Sequence, residues 1–189
     1  VGNTYNNLTF SAGTWTLNND LTVNGDLTID GTLITNDFDV DVGGSILGAG
    51  TLQTTNGGTQ ETIFVGGDMS VANFSSDAAQ DALVEFDTGA STVNSYTFHD
   101  VNIAANTNLN GAWTITGDLN LNAGTLDVTA SDYAISVAGS WDNSGGGTFN
   151  EQNGTVTFDG GNVQTVGNAE RFWNLTLSKT GGSITFNGN

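Results

Sequence analysis

The chain has 189 residues, 37% of them hydrophobic, with 27 Gly, no Pro and no Cys, and its 2 Lys plus Arg stand against 20 Asp plus Glu for a formal charge of −18. That balance repels phosphate backbones and anionic headgroups, which argues against nucleic-acid binding and electrostatic membrane attachment. Zero Cys rules out a disulfide framework or thiolate metal site, and no apolar run approaches the roughly 20 residues of a membrane-spanning helix.

One domain over residues 1–189 is the expectation for this length. The chain opens at Val1 within a strand-like pattern, which reads as a processed product or a segment of a longer repetitive assembly. The first signature, Tyr5, Asn7, Leu8 and Phe10, is an aromatic residue followed by Asn and alternating apolar positions. From Asp20 to Gly31 the chain reads DLTVNG and then DLTIDG. Leu21, Val23, Leu27 and Ile29 fall on one side of an extended chain, Thr22 and Thr28 on the other, and Gly supplies each turn. Strands this short cannot bury an apolar face alone, so their recurrence predicts stacked coils sharing one core.

Two longer blocks recur. Residues 24–45 (NGDLTIDGTLITNDFDVDVGGS) align with 116–140, and 84–103 (VEFDTGASTVNSYTFHDVNI) with 156–177; the opening signature returns at Phe172. Turn signals every six to eight residues, three strands to a coil and 20–24 residues per coil predict about eight or nine coils. At about 4.8 Å per coil the rod is on the order of 40 Å long. The fold class expected is all-β, a right-handed parallel β-helix (β-solenoid). Near 60–82 one short insertion, an extra coil or a lateral excursion, carries a one- or two-turn helix candidate at residues 76–83. Absence of Pro agrees, because a central strand needs every N–H. The alternation assigns to the core Leu8, Phe10, Trp15, Leu17, Leu21, Val23, Leu27, Ile29, Leu33, Phe38, Val40, Val42, Val84, Phe86, Val101, Ile103, Trp113, Ile115, Leu119, Leu121, Leu126, Val128, Ile135, Val137, Val156, Phe158, Leu175, Leu177, Ile184 and Phe186.

These units, the G-T-L steps at Gly31 and Gly124, and the aromatic-x-N-L-T signature at Tyr5 and Phe172 resemble the β-helical repeats of large bacterial extracellular proteins, such as filamentous haemagglutinin-like adhesins and autotransporter passenger stalks. The resemblance covers nearly the whole chain and rests on composition and spacing rather than on a catalytic motif. It implies a secreted or cell-surface structural or adhesive protein with no catalytic residue to carry over, and surface glycans as possible partners.

Chemistry-bearing groups are few. Asp37, Asp39 and Asp41 alternate with Phe38, Val40 and Val42, so three carboxylates would project from one strand face, oxygen ligands of the kind calcium takes; a solvated acidic face is the plainer reading. No other cofactor is indicated. Arg171 and Lys179 are the only basic groups and stand apart from an obvious carboxylate cluster, so the expectation is that the chain is not an enzyme. The alternative is a carbohydrate-binding or carbohydrate-hydrolysing β-helix with paired carboxylates. His99 falls at an outward position. Three T-x-T pairs, Thr14/Thr16, Thr114/Thr116 and Thr155/Thr157, suggest an ice-binding face, which needs Thr stacked in consecutive coils. Scattered along the chain, they read as ordinary solvent-side residues. The open strand edges expected at the ends, at Tyr5, Leu8 and Phe10 and at Leu175, Leu177, Ile184 and Phe186, predict self-association end to end, between copies or tandem repeats.

Overall fold

The structure is a computed structural model and describes residues 3–55, 58–76 and 82–188. It is all-β, a parallel β-solenoid with three faces, each coil visiting them in order. The first face is a ten-stranded sheet running from Asn3–Tyr5 through Leu21–Val23, Val40–Val42 and Thr62–Val65 to Gln164–Val166 and Ile184–Phe186, so nine coils separate its outer strands. The second face starts at Leu8–Phe10, is bridged through the single residue Met69, and ends at Thr148–Asn150. The third face runs from Thr14–Thr16 to Asn73–Ser75 and resumes from Thr97–Phe98 to Asn174–Leu177.

Alternation places the core as expected. Leu21, Val23, Leu27, Ile29, Val40 and Val42 are buried, and like residues lie over like: Leu27 over Leu8 and under Ile46. The ladders that are hardest to see in the sequence, through Ile46, Leu52, Met69 and Trp141, are equally buried. Around the middle of the rod Phe86 stacks on Trp113 with centroids 5.8 Å apart, and Phe98 meets Trp113 edge-on at 5.1 Å. Glycine matters most at the corner where Gly13, Gly31 and Gly50 lie over one another. A Cβ on Gly50 would stand 1.9 Å from Gly31 O, and one on Gly31 would stand 2.4 Å from Gly13 O.

Four expectations change. Trp15, Leu175, Leu177 and Phe186 are exposed, because the first and last described coils have a neighbour on one side only, and Phe38 is half-buried in a turn. The stretch 62–75 is a complete coil with a segment on every face, which settles the extra-coil alternative. Of the helix candidate, residues 77–81 lie outside the described residues and Leu83 begins a strand; no helix occurs among the described residues. Finally, the recurring blocks are not superimposable coils. Leu27–Ile29 lies on the second face but its counterpart Leu119–Leu121 on the first, and Leu83–Phe86 lies on the first but Thr155–Phe158 on the third. What recurs is a corner with its following strand, which serves on any face.

Measured along the first face, coil length varies from 17 residues, Val84 to Val101, to 25, Trp141 to Val166. The strands stay in register and the corners absorb the difference. Leu119 is fully buried between Val101 and Trp141. Leu119→Ala should lower unfolding free energy by about 2–5 kcal/mol, and Leu119→Asp by more, measured by denaturant titration.

Candidate functional site

The acidic groups are placed largely at corners, and there they accept backbone N–H bonds from the next coil. On one corner Asn7 Oδ1 accepts from Asp26 N at 2.9 Å, Asp26 Oδ1 from Ser45 N at 2.9 Å, Ser45 Oγ from Asp68 N at 3.0 Å and Asp68 Oδ1 from Thr92 N at 2.7 Å. On another, Asp100 Oδ1 accepts from Asp118 N at 2.7 Å, Asp118 Oδ1 from Ser140 N at 2.6 Å, and Ser140 Oγ from Thr165 N at 3.1 Å. In every case the oxygen belongs to the earlier coil and the N–H to the later one.

The proposed calcium ligands are divided by the same scheme. Asp37 sits in a left-handed turn with Asn36, at φ of 63° and 56°, and its N–H is held by Thr55 Oγ1 at 3.0 Å and Glu61 Oε2 at 3.1 Å. Asp39 is a corner cap, accepting from Thr62 N at 2.7 Å. Asp41 alone lies on the strand Val40–Val42, facing out. Only one of the three therefore stands on the expected face, and no group of three metal-ligating side chains gathers among the described residues.

Glu61 is a buried carboxylate that sequence reasoning missed, since its partners belong to other coils. It accepts from Thr35 Oγ1 at 2.5 Å, Asp37 N at 3.1 Å and Thr55 N at 2.9 Å, pinning two earlier corners together. Burial raises its pKa above the ordinary 4.5, assisted by the nearby Asp37 charge and opposed by the three hydrogen bonds. Glu170 repeats the device near the other end. It accepts from Trp141 Nε1 at 3.1 Å and Asn143 Nδ2 at 2.8 Å, and burial again raises its pKa.

The basic residues serve the fold as well. Lys179 Nζ donates to Gly160 O and Asn162 O, both at 2.8 Å, and to Gln164 Oε1 at 2.5 Å. Arg171 Nε is 2.8 Å from Glu151 Oε1, and Glu151 in turn repels Glu170, so this arginine does stand beside paired carboxylates. His99 is half-buried, its Nδ1 3.4 Å from Asp100 Oδ2.

Two surface features remain. One is the pair of apical surfaces. Tyr5 is 40% exposed and Trp15 50% at the first, with Leu8 and Phe10 half-buried beside them. At the other, Leu175 is 41% exposed, Leu177 51% and Phe186 49%, and Ile184 is half-buried. The second feature is a groove of about 430 Å³ on the first face, lined by Asp118, Asn120, Asp142, Thr165, Asn168 and Asn187 among others. It lies where an outward amide ladder ends: Asn102 Nδ2 donates to Glu85 Oε2 and Asn120 Nδ2 to Asn102 Oδ1, each at 3.0 Å. No protein-family model, curated protein or solved structure matches this chain.

The raised pKa of Glu61 has a definite sign. A carboxyl group that holds its proton more tightly when folded contributes stability that is complete below 4.5 and is lost as pH rises through the raised value. The stability difference between the native chain and Glu61→Gln, followed by urea denaturation from about pH 4 to about pH 8, should therefore move against the native chain as pH rises. A difference that is flat, or that grows with pH, would contradict this account.

Proposed function

We propose that this chain is a non-enzymatic structural or adhesive element of an extracellular surface, a solenoid unit stacked end to end with further solenoid coils in a stalk or filament. The observation that carries the reading is where the large exposed apolar side chains lie. Of Tyr5, Trp15, Val163, Trp173, Leu175, Leu177 and Phe186, all but Val163 belong to the first or last coil of the described rod. Tyr5, Trp15, Leu175, Leu177 and Phe186 continue the core ladders, and the strands that carry them are paired on one side only. Unpaired edges with apolar side chains are the usual template for further pairing. A coil docked there would find Tyr5 and Trp15 at one apex and Leu175, Leu177 and Phe186 at the other, each burial worth about 1.5–3 kcal/mol. The contact is heterologous and does not close, so it propagates.

A second reading rests on the groove at Asp118 and Asp142, whose mixed hydroxyl, amide and carboxylate lining suits saccharide hydroxyls. Binding on a glycan array, lost in Asn120→Ala, would favour it.

The stacking reading predicts that the 189-residue chain grows in sedimentation coefficient with concentration and forms rods with an axial repeat under the electron microscope. Charges placed on both apices, Trp15→Asp with Leu177→Asp, should return it to monomer. A native chain that stayed monomeric at high concentration would refute self-stacking.

A further inference from the structure

The third face differs from the rest of the molecule in charge. Among the described residues, none of its nine strands contains an ionisable side chain, in a chain of net charge −18. The first face, by contrast, carries Asp41, Glu85, Asp100 and Asp142 within its strands, and the second carries Asp127. All three T-x-T pairs also fall on or beside the strands of the third face. Thr14 and Thr16, Thr114, and Thr155 and Thr157 project from it, with Thr116 just past its strand.

The registers turn these scattered residues into rows. Thr97, Thr114, Ser136, Thr157 and Thr176 are successive partners over five consecutive coils. Thr14, Thr32, Thr51 and Asn73 are successive partners over four more. Residues on either side of the first row, Trp113 and Ile115, Ile135 and Val137, Val156 and Phe158, are buried, so the row points outward. The flanking positions Ala112, Ala134 and Ala138 are small, which keeps the plane low. Its margin holds two ionisable groups, His99 and Asp159, and Asp159 is engaged by Ser136 Oγ at 2.5 Å. The hydroxyls of Thr97, Thr114, Thr157 and Thr176 make no hydrogen bond among the described residues, whereas Thr116 Oγ1 donates to Phe98 O at 3.1 Å.

The geometry points to an ordered water lattice, the surface of ice, as the ligand of this face. Stacked strands set the hydroxyls about 4.8 Å apart along the rod, close to an oxygen repeat of ice. A β-branched side chain has few χ1 states, so the array is held rather than searched for on binding. The absence of charge is the complementary feature. A carboxylate orders its own water shell and would have to be desolvated against a neutral lattice, and the strands of this face carry none, Asp159 reaching the row from its margin at Ser136 alone. A crystalline polysaccharide is the competing occupant. It is disfavoured because no aromatic side chain projects from the strands of the hydroxyl row to stack on a sugar ring, the exposed Trp173 standing just before the last of them. The inference does not rest on end-to-end stacking and holds for a single copy.

The test is partition into slowly grown ice from dilute solution, together with the shape of ice crystals grown in the presence of the protein. The native chain should enter the ice and facet the crystals. Thr114→Tyr with Thr157→Tyr, outward substitutions that should leave the melting temperature unchanged, should lower partition to that of an inert protein. Thr22→Tyr, the same change on the first face, should not. If the double variant melts early, the single change at the exposed Thr114 carries the same expectation. Exclusion of the native chain from ice would overturn the inference, as would equal loss in Thr22→Tyr. Retention on cellulose or chitin that depends on the same threonines, without entry into ice, would transfer the face to polysaccharide.

Discussion

The constraint on which this molecule depends is the one-coil hydrogen bond at its corners. Parallel strands supply their own ladders along each face, but a corner leaves backbone N–H groups pointing along the axis with no strand carbonyl in the coil below to receive them, and such groups are costly if unmade. Here side-chain oxygens from the coil below receive them, Asn7 to Asp26 to Ser45 to Asp68 in one column and Asp100 to Asp118 to Ser140 in another. Asp and Asn are the short side chains that reach. Much of the acidity of the chain follows from this fastening, with no partner required to explain it.

A corner fastened by side chains tolerates unequal length. Coils of 17 and of 25 residues coexist because the strands keep their register while the turns between them lengthen. At two corners one acid takes several donors: the buried Glu61 binds the corners at Thr35 and Thr55, and the half-buried Glu170 holds the Trp141 indole and Asn143. Burial raises the pKa of both carboxylates.

The fold was legible because its core obeys a period of two, and Leu21, Val23, Leu27 and Ile29 declare it within ten residues. Coil count was legible from turn spacing. The caps were not, since each joins residues in different coils, and no local pattern separates Asp39 as a cap from Asp41 as a surface residue. The same distance hid Glu61. The apparent long repeat misled for an instructive reason: the corner-and-strand unit is the recurring physical solution, and nothing in it specifies a face. Hence DLTI and DLNL look like the same place in two coils and lie on different sides of the prism. That ambiguity also concealed the threonines, which share a face only after 17 residues, Thr97 to Thr114, and 22, Thr114 to Ser136, are both counted as one turn.

Corner fastening and a neutral face are two sides of one arrangement. If the acids that secure the coils sit at the corners, solubility is maintained there, and a whole face can be left without charge. A solenoid that carried its acids on the strands would have to interrupt any regular row at each one, as Asp41 and Glu85 interrupt the outward row of the first face. On the third face the row from Thr97 to Thr176 is interrupted only at Ser136, whose hydroxyl is turned to the Asp159 carboxylate at the margin. The division of labour is therefore structural before it is functional: corners hold the stack and keep it dissolved, apices extend it, and one plane is free to carry a pattern at the spacing of the backbone itself.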